Sequence, residues 1–375
     1  MRGRIEYNDN VLFSHRYKLD DFIARIRPEV IIKGKTEKTL FSIGSMVIGE
    51  KYFDNSQLDT VNTDNHALLQ RIWSKRFSTT LDASFSKDET LEEELTAAGQ
   101  PGLRRTRYRY GFDASGKYVL SDTTSLTIGG GPSFDNYPDG PYPDRDLWQA
   151  YLNPAVAVDP KDILGLFLNY NDADYRHASK VQTVSGSLYW RRDFSKTTYF
   201  VLGAGYRHTW TKYSLRYLSF SVDPATGFVT IFPLKEEKSE ENGGFIFNAE
   251  LDNDWSERFS SMVSTGREHY NAIDVRSIDR TYVRMTLKYR LTETISSNCH
   301  LSFDTTTEDG PGGRDNNNVM VEPFIAWSLT PNLAINFGGS YRYDKEDIRT
   351  DDFGIHRFRG WLSLSYRCPR LLANH

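Results

Sequence analysis

Arg105, Arg107 and Arg109 form the densest cationic feature of the sequence, within the segment Arg105-Thr-Arg-Tyr-Arg109. Their spacing at i, i+2 and i+4 puts all three on one face of a strand, because successive side chains of a strand alternate between its two faces. Guanidinium groups offer planar pairs of donors to carboxylates and phosphates, and a row of them in a low-dielectric wall creates a positive potential. The row therefore predicts a surface that attracts anions.

The elements that would position such rows are clearest in residues 281–304. From Thr281 to Leu291, apolar residues at every second position alternate with polar residues that include Arg284, Lys288 and Arg290. After a short turn the alternation resumes as far as Asp304, so we predict a β-hairpin. Each run lasts about ten residues or more, the length that a tilted strand needs to cross a bilayer, whereas soluble strands average about five or six. The apolar face is therefore predicted to contact lipid and the cationic face to line a lumen.

Composition agrees with such a protein. The chain has 375 residues, of which 38% are hydrophobic and 14% aromatic, and its mean hydropathy is -0.57. No run approaches the roughly 18 apolar residues of a transmembrane helix. This excludes a helical membrane protein but not a β-barrel, whose strands are half polar. The formal net charge of -4 argues against a nucleic-acid partner.

Short turns alternate with long polar segments along the chain. Most of the eight short turns resemble Trp255-Ser-Glu-Arg258, and the nine longer segments include Asn10 to Asp20. The count predicts an all-β fold: a transmembrane antiparallel β-barrel of about 18 strands, with short periplasmic turns and long extracellular loops. No linker divides the chain, so residues 1–375 are expected to be one outer-membrane barrel domain, with residues 368–375 as a candidate tail. The first residues are expected to enter a strand at once and do not resemble a signal peptide, so we treat the chain as a mature or trimmed form.

Several local features carry expectations of their own. Pro28, Pro154 and Pro323 each precede a short turn and are expected to cause a β-bulge. Residues 213–232 are expected to form a hairpin above the membrane, followed by a charged break at 235–241. This charged break and the acidic run 91–95 are each expected to be a solvated loop, and folding inward to gate the pore is the alternative for both. Cys299 and Cys368 are predicted to lie too far apart for a disulfide. Aromatic residues near the short turns are expected to form the periplasmic girdle: Trp73, Phe77, Tyr118, Phe194, Tyr199, Trp255, Phe259, Tyr289 and Trp327.

The lumen lining follows when the apolar set of each strand faces lipid. The residues predicted to line a substrate path are Arg25, Arg27, Arg105, Arg107, Arg109, Arg191, Arg207, Arg284, Lys288, Arg290, Arg342, Arg357, Arg359, Glu250 and Asp252. Bases outnumber acids, and the acids concentrate on the strand of Glu250 and Asp252. Replacing the three arginines of residues 105–109 by Gln is expected to shift ion selectivity towards cations with little change in stability. For any single arginine, pairing with another lumen residue is the alternative to contact with a ligand.

Catalytic and metal-binding patterns are missing from the sequence. The eight histidines form no H-E-x-x-H motif, and neither G-x-S-x-G nor a P-loop occurs. The acidic and glycine-rich segment 308–315 does not fit an EF-hand loop. We therefore predict no catalytic residue, no metal site and no cofactor, as expected of a protein that is not an enzyme.

Three short motifs carry a resemblance: Glu6-Tyr-Asn-Asp-Asn10, Asp20-Asp21-Phe22-Ile23 and Arg27-Pro28-Glu29. Over roughly the first quarter of the chain they resemble a family of outer-membrane β-barrel porins, some of which belong to exopolysaccharide or capsule export systems. The expected architecture, 18 strands around an arginine-lined lumen, is also similar to that of the alginate exporter. Residues 360–366 look like a terminal assembly strand, but residues 367–375 follow where such barrels have an aromatic terminus.

The favoured function is transport through the lumen in the outer membrane of a Gram-negative bacterium. The cargo implied is an anionic exopolysaccharide leaving the cell, with the lipid bilayer, the polysaccharide and periplasmic export components as partners. Diffusion of small anions past the same basic wall is the first alternative. A structural or adhesive barrel with a plugged lumen is the second.

Overall fold

The computed structural model describes residues 1–89, 104–138, 142–176, 178–222, 229–271, 277–308, 315–348 and 351–368. A short 3-10 turn, Ser56–Leu58, is the helical element of these ranges, and none of their helices is long and apolar enough to cross a membrane. The strands β1 to β19 are, in chain order, Arg2–Asn8, Asp21–Arg27, Glu29–Lys35, Thr39–Tyr52, Thr60–Ile72, Phe77–Glu89, Thr106–Val119, Thr124–Asn136, Arg145–Ala157, Asp162–Tyr175, Ser179–Asp193, Thr198–Val222, Val229–Asp254, Phe259–Asn271, Ser277–Arg290, Ile295–Glu308, Asp315–Thr330, Leu333–Ile348 and Asp351–Tyr366.

The strands form one sheet that closes on itself, because β1 pairs with both β19 and β2. Strands β2 and β3 are two halves of one barrel strand, separated at Pro28, and both pair with β4. The 19 segments described therefore make a closed antiparallel barrel of 18 strands, which confirms the predicted fold. The backbone amide and carbonyl groups bond to neighbouring strands, as a membrane-spanning chain requires.

The outer surface of the barrel is apolar. Large side chains such as Leu188, Leu362 and Phe245 are 68%, 57% and 54% exposed, as expected if lipid covers them. Exposed aromatic residues lie beside the short turns and form the girdle predicted there: Trp73, Phe77, Tyr118, Phe194, Trp255, Tyr289 and Trp327. The prediction is wrong for Tyr199, which shares a face with Asp252 and donates a hydrogen bond to Glu250 inside the barrel (2.6 Å).

The bulges predicted at three prolines are wrong. Pairing continues in the same register on both sides of Pro28, Pro154 and Pro323, so each proline removes a ladder bond without inserting a residue. Proline has no backbone N–H, so one hydrogen bond between strands is lost at its position. The residue pairs on either side keep their hydrogen bonds and maintain the register. The register shift seen nearby lies instead between Ser328 and Thr330.

Strands β12 and β13 are the longest of the described strands and pair as far as Val222 and Val229, which confirms the hairpin predicted there. The expected charged break at residues 235–241 is wrong, because β13 continues through it. The acidic run 91–95 lies outside the described residues. Cys299 and Cys368 are both free thiols, as predicted.

Candidate channel lumen

Strand register assigns each side chain to the inner or outer face. Residues that pair directly across two antiparallel strands point to the same side of the sheet. On β19 the exposed His356 and Phe358 alternate with the buried Arg357, and the exposed members belong to the lipid-facing set. Following the pairs around the ring from Arg357 through Arg342 fixes the inner face of every strand.

The register places the predicted charged residues on this inner face. Arg105 directly precedes β7, and the others lie on strands: Arg25, Arg27, Arg107, Arg109, Arg191, Arg207, Glu250, Asp252, Arg284, Lys288, Arg290, Arg342, Arg357 and Arg359. The same pairs settle the inner faces of β4 and β14, whose sequences alternate poorly. That a solute moves along these residues stays a prediction.

The arginines of residues 105–109 do not form an unopposed row. The Nη2 of Arg107 lies 2.8 Å from a carboxylate oxygen of Asp88 on the preceding strand. The Nε of Arg109 lies 2.8 Å from Asp135 on the following strand, and Arg145 approaches the same carboxylate at 2.6 Å. The expectation that inward acids concentrate on the strand of Glu250 is therefore wrong. Arg107 and Arg109 therefore each have a carboxylate partner, one on either side of β7.

Similar ion pairs recur near the extracellular end of the barrel. Arg25 bonds to Glu50 at 2.6 Å and also approaches Glu6. Arg280 and Asp304, 3% and 4% exposed at the side chain, pair at 2.6 Å. Arg280 and Asp304 were not predicted as a pair, although the period of two extends to both residues and would have placed them on the inner face.

Arg207 forms an ion pair with Asp279 at a place where two neighbouring strands no longer pair. Strands β13 and β14 pair only as far as Phe247 and Arg267, whereas β14 continues beside β15. Above that point the β14–β15 hairpin approaches β12, so Asp279 pairs with Arg207 as well as with Arg267 (2.9 Å).

The segment between β1 and β2, expected to be an external loop, folds inward. Val11 packs on Ile23 and Tyr52, both on the inner face. Phe13 packs on Ile355, and the guanidinium of Arg357 lies 4.8 Å from the centre of its ring. Buried apolar residues thus hold this segment against the wall near the extracellular end, beside a lumen cavity of about 570 Å³. The sequence did not predict this inward position, because only Val11 and Phe13 of the mostly polar segment make buried apolar contacts.

The periplasmic half differs in charge from the extracellular half. Arg284, Lys288 and Arg290 lie on the inner face of β15 and are exposed. Arg284 stacks on Tyr282, with its guanidinium carbon 4.4 Å from the ring centre. Within the described part of the chain, no carboxylate forms a salt bridge with any of the three. They are therefore cations that face the water of the lumen.

Acids occupy the opposite wall. Strand β6 is nine steps from β15 in either direction around the ring, when β2 and β3 count as one strand. Asp82 on β6 pairs across the sheet with Asp113 on β7, and both face inward. Asp113 lies six residues from the periplasmic end of its strand, as Arg284 does on β15. A carboxylate also lies on the same wall, because Ser264 on β14 pairs with both Glu250 on β13 and Arg284 on β15. A solute that passes at this height therefore meets the β15 cations with Glu250 two strands away, and further carboxylates on the opposite wall.

Comparisons with known proteins concern the fold. No protein-family model matches the chain, and no curated protein matches its sequence. Its structure is similar to the copper transporter OprC (TM-score 0.54, 10% identity, 98% of this chain and 66% of that chain). It is also similar to the FrpB iron transporter from Neisseria meningitidis (0.51, 11%, 98% and 66%) and to the ferric citrate transporter FecA (0.50, 10%, 96% and 63%). The chain thus spans less than two thirds of the length of each.

At such low identity these likenesses establish the fold. Together with the closed ring of 18 strands and its apolar exterior, they make the chain a bacterial outer-membrane β-barrel, in agreement with the predicted location. No family model supports the sequence resemblance to the porin family with exopolysaccharide exporters, and the likeness to the alginate exporter stays a prediction.

Proposed function

We propose that the barrel is a passive channel that favours small anionic solutes. The observation that carries this proposal is the row of water-exposed cations on β15, with which no described carboxylate forms a salt bridge. Charges in a narrow, low-dielectric passage raise the local concentration of ions of opposite sign. The carboxylates of Asp82 and Asp113 lie on the opposite wall and create an electric field across the passage. This field would orient a solute so that its negatively charged end faces β15.

Small solutes fit the lumen better than a polymer does. The inward segment that carries Val11 and Phe13 occupies part of the extracellular opening. Export of an anionic exopolysaccharide would require this packed segment to move. We therefore rank small-anion diffusion above polysaccharide export, and transport above catalysis. A plugged structural barrel is the remaining alternative, and it predicts no conductance.

The experiment is the reversal potential of single channels in a planar bilayer under a salt gradient. Replacing Arg284, Lys288 and Arg290 by Gln should shift permeability towards cations. One charge about 8 Å from the path contributes about 0.5 kcal/mol in water. Three together contribute about 1.5 kcal/mol, which salt at about 0.1 M reduces by about half. The permeability of each ion should therefore change about threefold, falling for anions and rising for cations, so the anion-to-cation permeability ratio should fall roughly tenfold.

A matched control removes the same charge outside the lumen. Lys161, Lys196 and Arg258 are exposed in periplasmic turns, and their replacement by Gln should leave the reversal potential close to that of the parent. Equal reversal potentials for the parent and the β15 variant would refute the anion-channel proposal. Absence of any conductance in the parent would support the plugged barrel.

A further inference from the structure

Three aromatic side chains line the inner wall in the periplasmic half. Tyr151 on β9, Phe167 on β10 and Tyr189 on β11 border a recess of about 380 Å³. Their strands are neighbours in the ring, and the register puts all three on the inner face. The rings of Tyr151 and Phe167 are nearly parallel, with an angle of 27° and a centroid distance of 6.0 Å. We call these three residues the aromatic patch.

The positions of the two tyrosine rings are fixed from behind. A Cβ atom added at Gly129 would overlap Tyr151, and one added at Gly165 would overlap Tyr189, so each ring lies against the backbone of a neighbouring strand. The hydroxyl groups are also held, because Tyr151 donates to Asp113 and Tyr189 donates to Asn153, both at 3.0 Å. The rings therefore lie along the wall, with one face on the backbone and the other towards the lumen.

Rings placed over glycines stabilise sheets, and this accounts for two members of the patch. It does not account for Phe167, whose cross-strand partner on β11 is Ser187. Phe167 is half-buried, and the part of its ring that faces the lumen is apolar surface that a ligand could cover. Phe167 is the member that points to a binding role.

Polar groups surround the apolar faces. The recess is also bordered by Lys117, Thr127 and Asn153. The carboxamide nitrogen of Asn153 is a donor that its bond with Tyr189 does not use, and Lys117 supplies a cationic donor. Flat apolar faces with donors and acceptors at their edges are complementary to a pyranose ring, which has C–H groups on its faces and hydroxyl groups around its rim.

We propose that the aromatic patch binds pyranose rings of saccharides that pass through the lumen. The proposal deepens the proposed channel function and rests on the lumen being a solute path. Lys117 would favour sugars that carry a carboxylate, in agreement with the cationic row on β15. The nearby Tyr199 adds little, because the guanidinium of Arg191 covers its ring at 4.6 Å.

The test measures binding directly, without conductance. Saturation-transfer NMR on the barrel in a zwitterionic detergent without a sugar headgroup would use maltohexaose as the probe. The ring protons of the probe should receive saturation from the protein, and a polyethylene glycol of similar mass should not. Replacing Phe167 by Ala should weaken binding of maltohexaose roughly three- to tenfold, the range that one aromatic contact contributes.

The matched control is Phe324→Ala, which removes an inward phenyl ring on β17, away from the patch. It should leave maltohexaose binding unchanged. Equal affinities of the parent and Phe167→Ala, or no saturation transfer to the parent, would refute the aromatic patch while leaving the ion-selectivity result intact. If binding is present but the β15 variant keeps the parent's reversal potential, the anion channel fails and the saccharide site stands.

Discussion

Replacement of Arg107 by Gln tests whether the ion pairs inside the lumen stabilise the barrel. The Arg107 side chain is 1% exposed, and its Nε and Nη2 donate to the two oxygens of Asp88 at 3.0 and 2.8 Å. Breaking a buried ion pair by removing one partner costs about 3 to 5 kcal/mol. Asp88 is 19% exposed and regains part of its hydration, so we expect a loss of about 2 to 3 kcal/mol in the free energy of unfolding.

The measurement is urea unfolding of the barrel in lipid vesicles, followed by tryptophan fluorescence. Lys117→Gln is the control, because Lys117 lies on the same face of the same strand and is exposed; its unfolding free energy should stay within about 0.5 kcal/mol of the parent. Adding Asp88→Asn to Arg107→Gln should restore at least half of the loss, since no unpaired charge remains. A single variant as stable as the parent, or a double variant no better than the single one, would show that the pair does not stabilise the barrel.

Four further outcomes follow from the same structure. The triple replacement of Arg105, Arg107 and Arg109 by Gln should destabilise the barrel and shift permeability towards cations, because Asp88 and Asp135 lose arginine partners and keep their negative charges. Asp135→Asn should raise the anion-to-cation permeability ratio and lower the unfolding midpoint, since Arg109 and Arg145 lose their shared carboxylate. Gly130→Ala should reduce the yield of folded barrel on electrophoresis without heating, because Gly130 has a φ of 155° and a Cβ there would meet the backbone of Gln149. A membrane-impermeant maleimide should label the exposed Cys368 much faster than Cys299, which shares the lipid-facing side with Leu287; equal rates would contradict the assigned face of β16.

Local alternation was sufficient to predict the strands and most of their faces. The run from Thr281 to Asp304 identifies a membrane-spanning hairpin because side-chain direction in a strand depends only on whether the position is odd or even. The same rule put Arg284 and Lys288 inside the barrel. Turn chemistry and strand length supplied the count of 18, since both are properties of short segments.

What alternation could not predict is which inward residues meet. Arg107 finds Asp88 across a loop whose length hides the register, and Arg25 finds Glu6 because the first barrel strand closes the ring between the last and the second. Tyr199 is close in sequence to a short turn and was therefore predicted to belong to the girdle. Its side chain faces the lumen, because Tyr199 pairs with the inward-facing Asp252.

The inward fold of the segment after β1 was also decided by tertiary contacts. Val11 and Phe13 are too few to give a periodic signal, and their partners Tyr52 and Ile355 come from opposite ends of the chain. Burying two apolar side chains stabilises this arrangement by a few kcal/mol only once the closed barrel has assembled the wall that receives them. The sequence by itself therefore determined that the chain forms a barrel with a charged interior, whereas closure of the ring decided which charges are neutralised and which face the water.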